Sequence, residues 1–304
     1  MGKQASNGKI TDKIISNYYA NSNAENEVSA PLSRSMVVHH REWLLLGIVS
    51  LMSLFVYLSV FVLVFTGSIS SIFLFVLFLP LIMYIIRGFQ WGMAKENMVP
   101  MTPEQFPDGW LMVEKISRDF GVEVPEAYVM LGNGNINAMA AGHEHKRYIV
   151  VSSDLFEVGG QARNPDALEF VISHEIGHIA AGHTSYWRII CSYIGMMIPI
   201  LGSALSRSQE YTADNYASSR AIHGANSTIG VLAVGKYLGS SVDSYNYGAS
   251  AIHSSMWSVL VNAFSSHPVL RWRAHALLCS QNGAKKGSLF LPPDSVTIKR
   301  KNDN

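Results

Sequence analysis

Two apolar blocks dominate the first third of the chain. Trp43 to Phe65 runs 23 residues without a charge, and Ile69 to Ile86 runs 18 with Pro80 inside it. A helix rising about 1.5 Å per residue needs about 20 apolar residues to cross a bilayer core, with about 17 as the lower end. Leu, Phe and Val surround both blocks instead of forming one stripe, which separates them from the one-sided helices of a soluble core. Thr66-Gly67-Ser68 leaves room only for a turn. A two-span transmembrane hairpin is therefore expected over 41–90. Residues 1–40, polar and rich in Asn and Ser, read as a disordered cytosolic tail.

After the hairpin the pattern becomes mixed. Pro103 to Phe120 carries Met112, Val113 and Ile116 at helical spacing. Arg147 to Ser152 reads as a strand. Further helices are expected over 227–238 and 251–264, with a flexible stretch of Ser, Tyr and Gly at 239–248. The expectation is an α+β fold, mostly α, with a folded domain over 91–280 and a small β-sheet. Residues 281–304 form a polar tail with five basic residues.

Composition narrows the function classes. Charged residues are 15% of the chain, against roughly 25% for soluble domains, which agrees with a lipid bilayer as partner. A net charge of +1 gives nucleic acid no basic face to bind. Cys191 and Cys279 are too few for a disulfide framework and are expected as small buried apolar residues. Arg34 and Arg41 precede the hairpin, Arg87 and Lys95 follow it, and its turn has no basic residue. By the positive-inside rule both termini and the domain face the cytoplasm, in an integral protein of the plasma or inner membrane.

The candidate chemistry lies in Leu168 to His178. His174 and His178, at i and i+4, share one helix face and can reach one ion. Glu175 beside them can reach a water at that ion as a general base without ligating it. His183 lies about 140° further around a continued helix and points elsewhere. Ala181 and Thr184 stand where a third ligand on the same segment would require Gly and His. A Glu from a second helix is the remaining arrangement. Glu210 and Asp214 share a face, with Ala213 and Ala217 small enough for close packing. Glu210 is expected as third ligand, and Asp214 as acceptor for the free ring N–H of a ligating histidine.

These residues resemble metallopeptidase family M48, the HtpX-like and CAAX prenyl protease group, over roughly Trp110 to Leu278. Gly121-Val122-Glu123-Val124-Pro125, Asn137-Ala138-Met139-Ala140-Ala141-Gly142 and Ser266-His267-Pro268 with Arg273 are similar to further family motifs. The resemblance implies a gluzincin-type endopeptidase with one Zn²⁺ per chain, acting on proteins or peptides, membrane proteins among them. It implies substrate pairing along Asn137, Ala138, Met139 and Ala140. His267 is expected to stabilise an oxyanion, ligate the metal in a latent state or be structural, and Arg273 to brace that loop. Quality control of membrane proteins is the leading role; CAAX-type processing and a silent zinc-binding scaffold are the alternatives. HtpX-like members tend to carry more membrane segments between the two ligand helices. Here Ile189 to Leu205 is broken by Gly195, Pro199 and Gly202. A single crossing would carry Glu210 about 25–30 Å from His178, so this segment is expected to be buried, interfacial or re-entrant.

Overall fold

The structure, a computed structural model, describes residues 37–67, 71–134, 136–281 and 287–293. The two apolar blocks form α1 (Glu42–Phe65) and α2 (Ser71–Asn97). Both are long and apolar enough to cross a membrane. Most of their large side chains are exposed, Phe55 and Phe65 by 72% and 84%, as lipid-facing residues would be.

The second helix does not stop near Ile86. It continues to Asn97, because its last turns leave the apolar block and pack on the sheet. Trp91 and Ala94 lie against Tyr128, Tyr148 and Val150, and the Trp91 indole N–H donates to Glu126 at 2.9 Å. Arg87 is buried and donates to the Thr184 carbonyl at 2.9 Å. The sequence-level marker of membrane topology is thus also a joint between hairpin and domain.

The sheet contains β1 (Val99–Pro100), β2 (Glu126–Met130), β3 (Ala138–His143) and β4 (Lys146–Ser152), in the order β1-β2-β4-β3. β2 and β4 are parallel, and the outer strands pair antiparallel. Alternation sends Tyr128, Tyr148 and Val150 to α2, while Val129, Ile149 and Val151 face the opposite way. There they meet Val113 and Ile116 of α3 (Pro107–Phe120) and Leu168, Ile172 and Ile176 of α4 (Pro165–Ala180). The sheet is therefore covered on both faces. Its β3 edge remains unpaired among the described residues.

The broken segment resolves into α5 (Tyr186–Met196) and a tight reversal into α6 (Leu201–Ala221). A Cβ on Gly202 would sit 1.9 Å from the Met196 carbonyl oxygen, so only glycine permits this turn. Packing against α1 explains the return: the Gly195 N–H donates to Ser53 at 2.8 Å, and Tyr57 donates to the Ile190 carbonyl at 3.3 Å. Cys279 is buried as expected, but Cys191 is exposed. Trp187, one turn earlier on α5, is exposed as well.

The remaining helices are α7 (Ala225–Val234), α8 (Ser244–Ala249), α9 (Met256–Phe264) and α10 (Leu270–Gln281). The stretch read as flexible contains α8, where the Asp243 side chain caps the Asn246 N–H at 3.0 Å. Near the chain's ends, Val37 and His39 are buried. Residues 287–293 lie along α6: the Arg207 guanidinium donates to the Leu289 carbonyl at 3.1 Å and Tyr211 to that of Ser288 at 3.2 Å. The His39 ring donates to the Gly287 carbonyl at 3.1 Å. The rest of both expected tails lies outside the described residues.

The contact between α4 and α6 controls the spacing of the candidate ligands. A Cβ on Gly177 would meet the Tyr216 Cβ at 2.8 Å and the Ala213 carbonyl oxygen at 3.3 Å. Gly177→Val is expected to cost about 1–3 kcal/mol by overpacking. It should lower the unfolding temperature in detergent and reduce bound metal together, since the two helices must separate.

Candidate metal centre

Helix α4 begins with Asn164, whose side chain accepts from the Ala167 N–H at 3.0 Å, and with Pro165 in the first turn. Buried on nearly every side, it is fixed against the sheet and α6. Its His174 and His178 direct their Nε2 atoms to a common point, 3.2 Å apart. Glu210, from α6, faces the same point, with oxygens 3.4 Å from His174 Nε2 and 3.5 Å from His178 Nε2.

These separations test whether a metal fits. Four ligands at about 2.0–2.2 Å in a tetrahedron stand about 3.3–3.6 Å from one another. The Nε2–Nε2 separation lies within 0.1 Å of that range, and each histidine has one Glu210 oxygen inside it, Oε2 for His174 and Oε1 for His178. Two histidines and a glutamate fit a three-ligand site, and among the described residues they are the group able to hold a metal ion.

The surrounding charges are ordered by hydrogen bonds. The Asp214 carboxylate accepts from His174 Nδ1 at 2.9 Å. It also takes two bonds from Arg273, at 2.8 and 2.6 Å. Burial opposes the Asp214 charge, but the Arg273 guanidinium and the His174 bond hold its carboxyl below the usual range. Burial and Arg273 both pull His174 down; bonds to Asp214 and Glu210 outweigh them and push it up to about 9. Glu210 behaves like Asp214: burial opposes its charge, yet bonds from His174, His178 and His267 hold it well below the ordinary carboxylate value. Glu175 is buried beside them, and burial raises its carboxyl.

All of the expected site residues except Asp214 line one cavity of about 710 Å³, with Asp214 directly behind His174. Asn137 to Ala140 form one wall, at the start of the unpaired β3 edge. The loop before them is tied down: Gly134 N–H donates to Asp154 at 2.9 Å, and Lys236 pairs with the same carboxylate. His267 Nδ1 lies 3.0 Å from a Glu210 oxygen, with its side chain 70% exposed to the cleft. The bond to Glu210 raises its pKa.

Sequence reasoning placed His183 away from the site. The helix ends at Ala180, and the turn through Gly182 folds the following residues back. His183 Nδ1 lies 2.7 Å from His178 Nδ1, and its Nε2 lies 3.0 Å from Glu42. Burial pulls the His183 ring down to about 4, keeping it neutral. The Gly182 stop signal could have revealed the turn; nothing local points to Glu42.

A cleft holding a two-histidine, one-glutamate metal set with a free carboxylate alongside defines a metallopeptidase type of centre. Residues 111–197 match the profile described as Peptidase family M48. "Protease HtpX" of Pseudomonas fluorescens is 27% identical over 233 residues, 61% of this chain and 76% of that protein. "Protease HtpX" of Pseudomonas syringae pv. syringae is 32% identical over 93 residues, covering 30% of each chain. "Protease HtpX homolog" of Dictyoglomus thermophilum is 33% identical over 112 residues, 36% of this chain and 35% of that one. The chain thus carries an HtpX-like segment of peptidase family M48, joined to two helices suited to a membrane. The matched profile ends before Glu210, so that residue's place in the centre stands on the distances above.

Proposed function

We propose that this chain is a membrane-anchored zinc endopeptidase that cleaves membrane proteins at the cytoplasmic face, in their quality control. The reading is carried by the convergence of His174, His178 and Glu210 on one point with Glu175 beside them. One Zn²⁺ per chain would be held by these three residues. When bound, it would polarise a peptide carbonyl and make a water more acidic.

The chain's own groups would do the rest. Substrate lies extended along Asn137 to Ala140, adding a strand to the β3 edge. Glu175 takes the proton of the attacking water at its carboxylate and then gives it to the leaving nitrogen; a carboxyl raised by burial is suited to both steps. His267 supports the charge that develops on the carbonyl oxygen. Asp214 fixes the His174 ring, and Arg273 holds Asp214 in place. A free position beside the three ligands and a retained carboxylate favour a catalyst over a structural scaffold, whose metal normally has all four positions closed. Among the described residues two helices are suited to a membrane, fewer than the multi-span chamber expected for CAAX processing.

The test is metal analysis and casein cleavage by the full chain in detergent. About one zinc per chain is expected, with cleavage abolished by a chelator and restored by Zn²⁺. Cleavage that survives complete metal removal would overturn the reading.

A further inference from the structure

The two histidines of the centre are oriented differently. His174 passes its Nδ1 directly to a carboxylate, Asp214, at 2.9 Å. His178 has no carboxylate there. Its Nδ1 meets His183 Nδ1 at 2.7 Å, and the His183 Nε2 meets Glu42 Oε1 at 3.0 Å. Glu42 is the first residue of the anchor helix α1 and is 1% exposed.

The proton positions along this chain follow from the chemistry of its end. An ionised carboxylate only accepts, so His183 must carry its proton on Nε2. Its Nδ1 then offers a lone pair, and His178 must donate from its own Nδ1. The His178 Nε2 lone pair is thereby left facing His174 and Glu210, as a metal ligand requires. Glu42 is itself held on three sides: by His183, by Arg188 of α5 and by Thr212 of α6. The Thr212 hydroxyl oxygen also accepts the His39 N–H at 2.9 Å. Three partners therefore hold the carboxylate: His183 and Arg188 on Oε1, and Thr212 on Oε2.

We infer that Glu42, acting through His183, is the positioning residue for the ligand His178, so that the membrane anchor supplies part of the metal centre. This deepens the proposed metal reading and rests on it. The anchor is then more than a tether. Its first turn sets the tautomer and orientation of a ligand 136 residues further along the chain.

The experiment is a double-mutant cycle on zinc affinity, measured by chelator competition on the full chain in detergent, with no use of catalytic rate. His183→Phe keeps the ring but removes both nitrogens, leaving Glu42 bound to Arg188 and Thr212. It is expected to weaken zinc binding about 10–100-fold. Glu42→Leu should weaken it within the same range. The double variant should be no weaker than the worse single variant, since both break one chain of bonds. His183→Asn places an amide oxygen where Nδ1 stands and should recover most of the affinity. In that background Glu42→Leu should change it little. Affinities within twofold of wild type for His183→Phe, or losses that multiply in the double variant, would overturn the inference. A folding defect would show as failure of His183→Asn to recover binding, which also counts against it. Absence of zinc from wild type would instead remove the metal reading itself.

Discussion

Glu175→Gln is expected to slow peptide cleavage by about 10²–10⁴-fold, the usual contribution of a general base, while zinc remains bound. The variant retains the volume of the side chain and makes no change at His174, His178 or Glu210. An amide cannot take the proton of a water and return it to a leaving amine, so the loss should appear in kcat more than in KM. Burial beside the histidines raises the Glu175 carboxyl, which makes its conjugate acid a usable proton donor nearer neutrality. Casein cleavage with zinc content measured on the same samples checks this. Unchanged cleavage would mean that Glu175 is not the base, whereas joint loss of zinc and cleavage would make it part of the metal support.

Arg273→Ala is expected to be the most destabilising change near the site. Arg273 gives two hydrogen bonds to Asp214, and Asp214 is 3% exposed. Removing the guanidinium leaves a buried carboxylate facing His174 alone, and breaking a buried pair from one side costs about 3–5 kcal/mol. The unfolding midpoint in detergent should fall accordingly, and zinc affinity should fall with it as Asp214 loses its grip on His174. Adding Asp214→Asn removes the stranded charge, so the double variant should regain part of the lost stability. If Arg273→Ala melts with wild type, the pair is solvated and this account of the site's support is wrong.

The parts legible in the sequence are those with short periods. His174, Glu175 and His178 lie within five residues, and Glu210 and Asp214 within five more on a second helix, so helix geometry alone groups each set. The apolar blocks are legible because lipid demands an unbroken run. Beyond them, contacts distant in sequence decide. The far end of α2 is helical because Trp91 and Ala94 find the sheet. His183 was misplaced because a helical wheel was extended past Ala180 into a turn. The partner of His183, Glu42, is 141 residues away, a separation no local pattern encodes.

The docking of residues 287–293 along α6 has a consequence for how the molecule is made. Synthesis delivers the histidine helix well before the segment that braces the glutamate helix. At about 5–20 residues per second, the interval from His178 to Leu289 is roughly 6–22 s. During that time a nascent chain holds the two histidines, and later Glu210, without Arg207 and Tyr211 bound to their final carbonyl partners. Residues 287–293 are made after all three candidate ligands, so the register of the helix that carries Glu210 is braced later than the helix that carries His174 and His178.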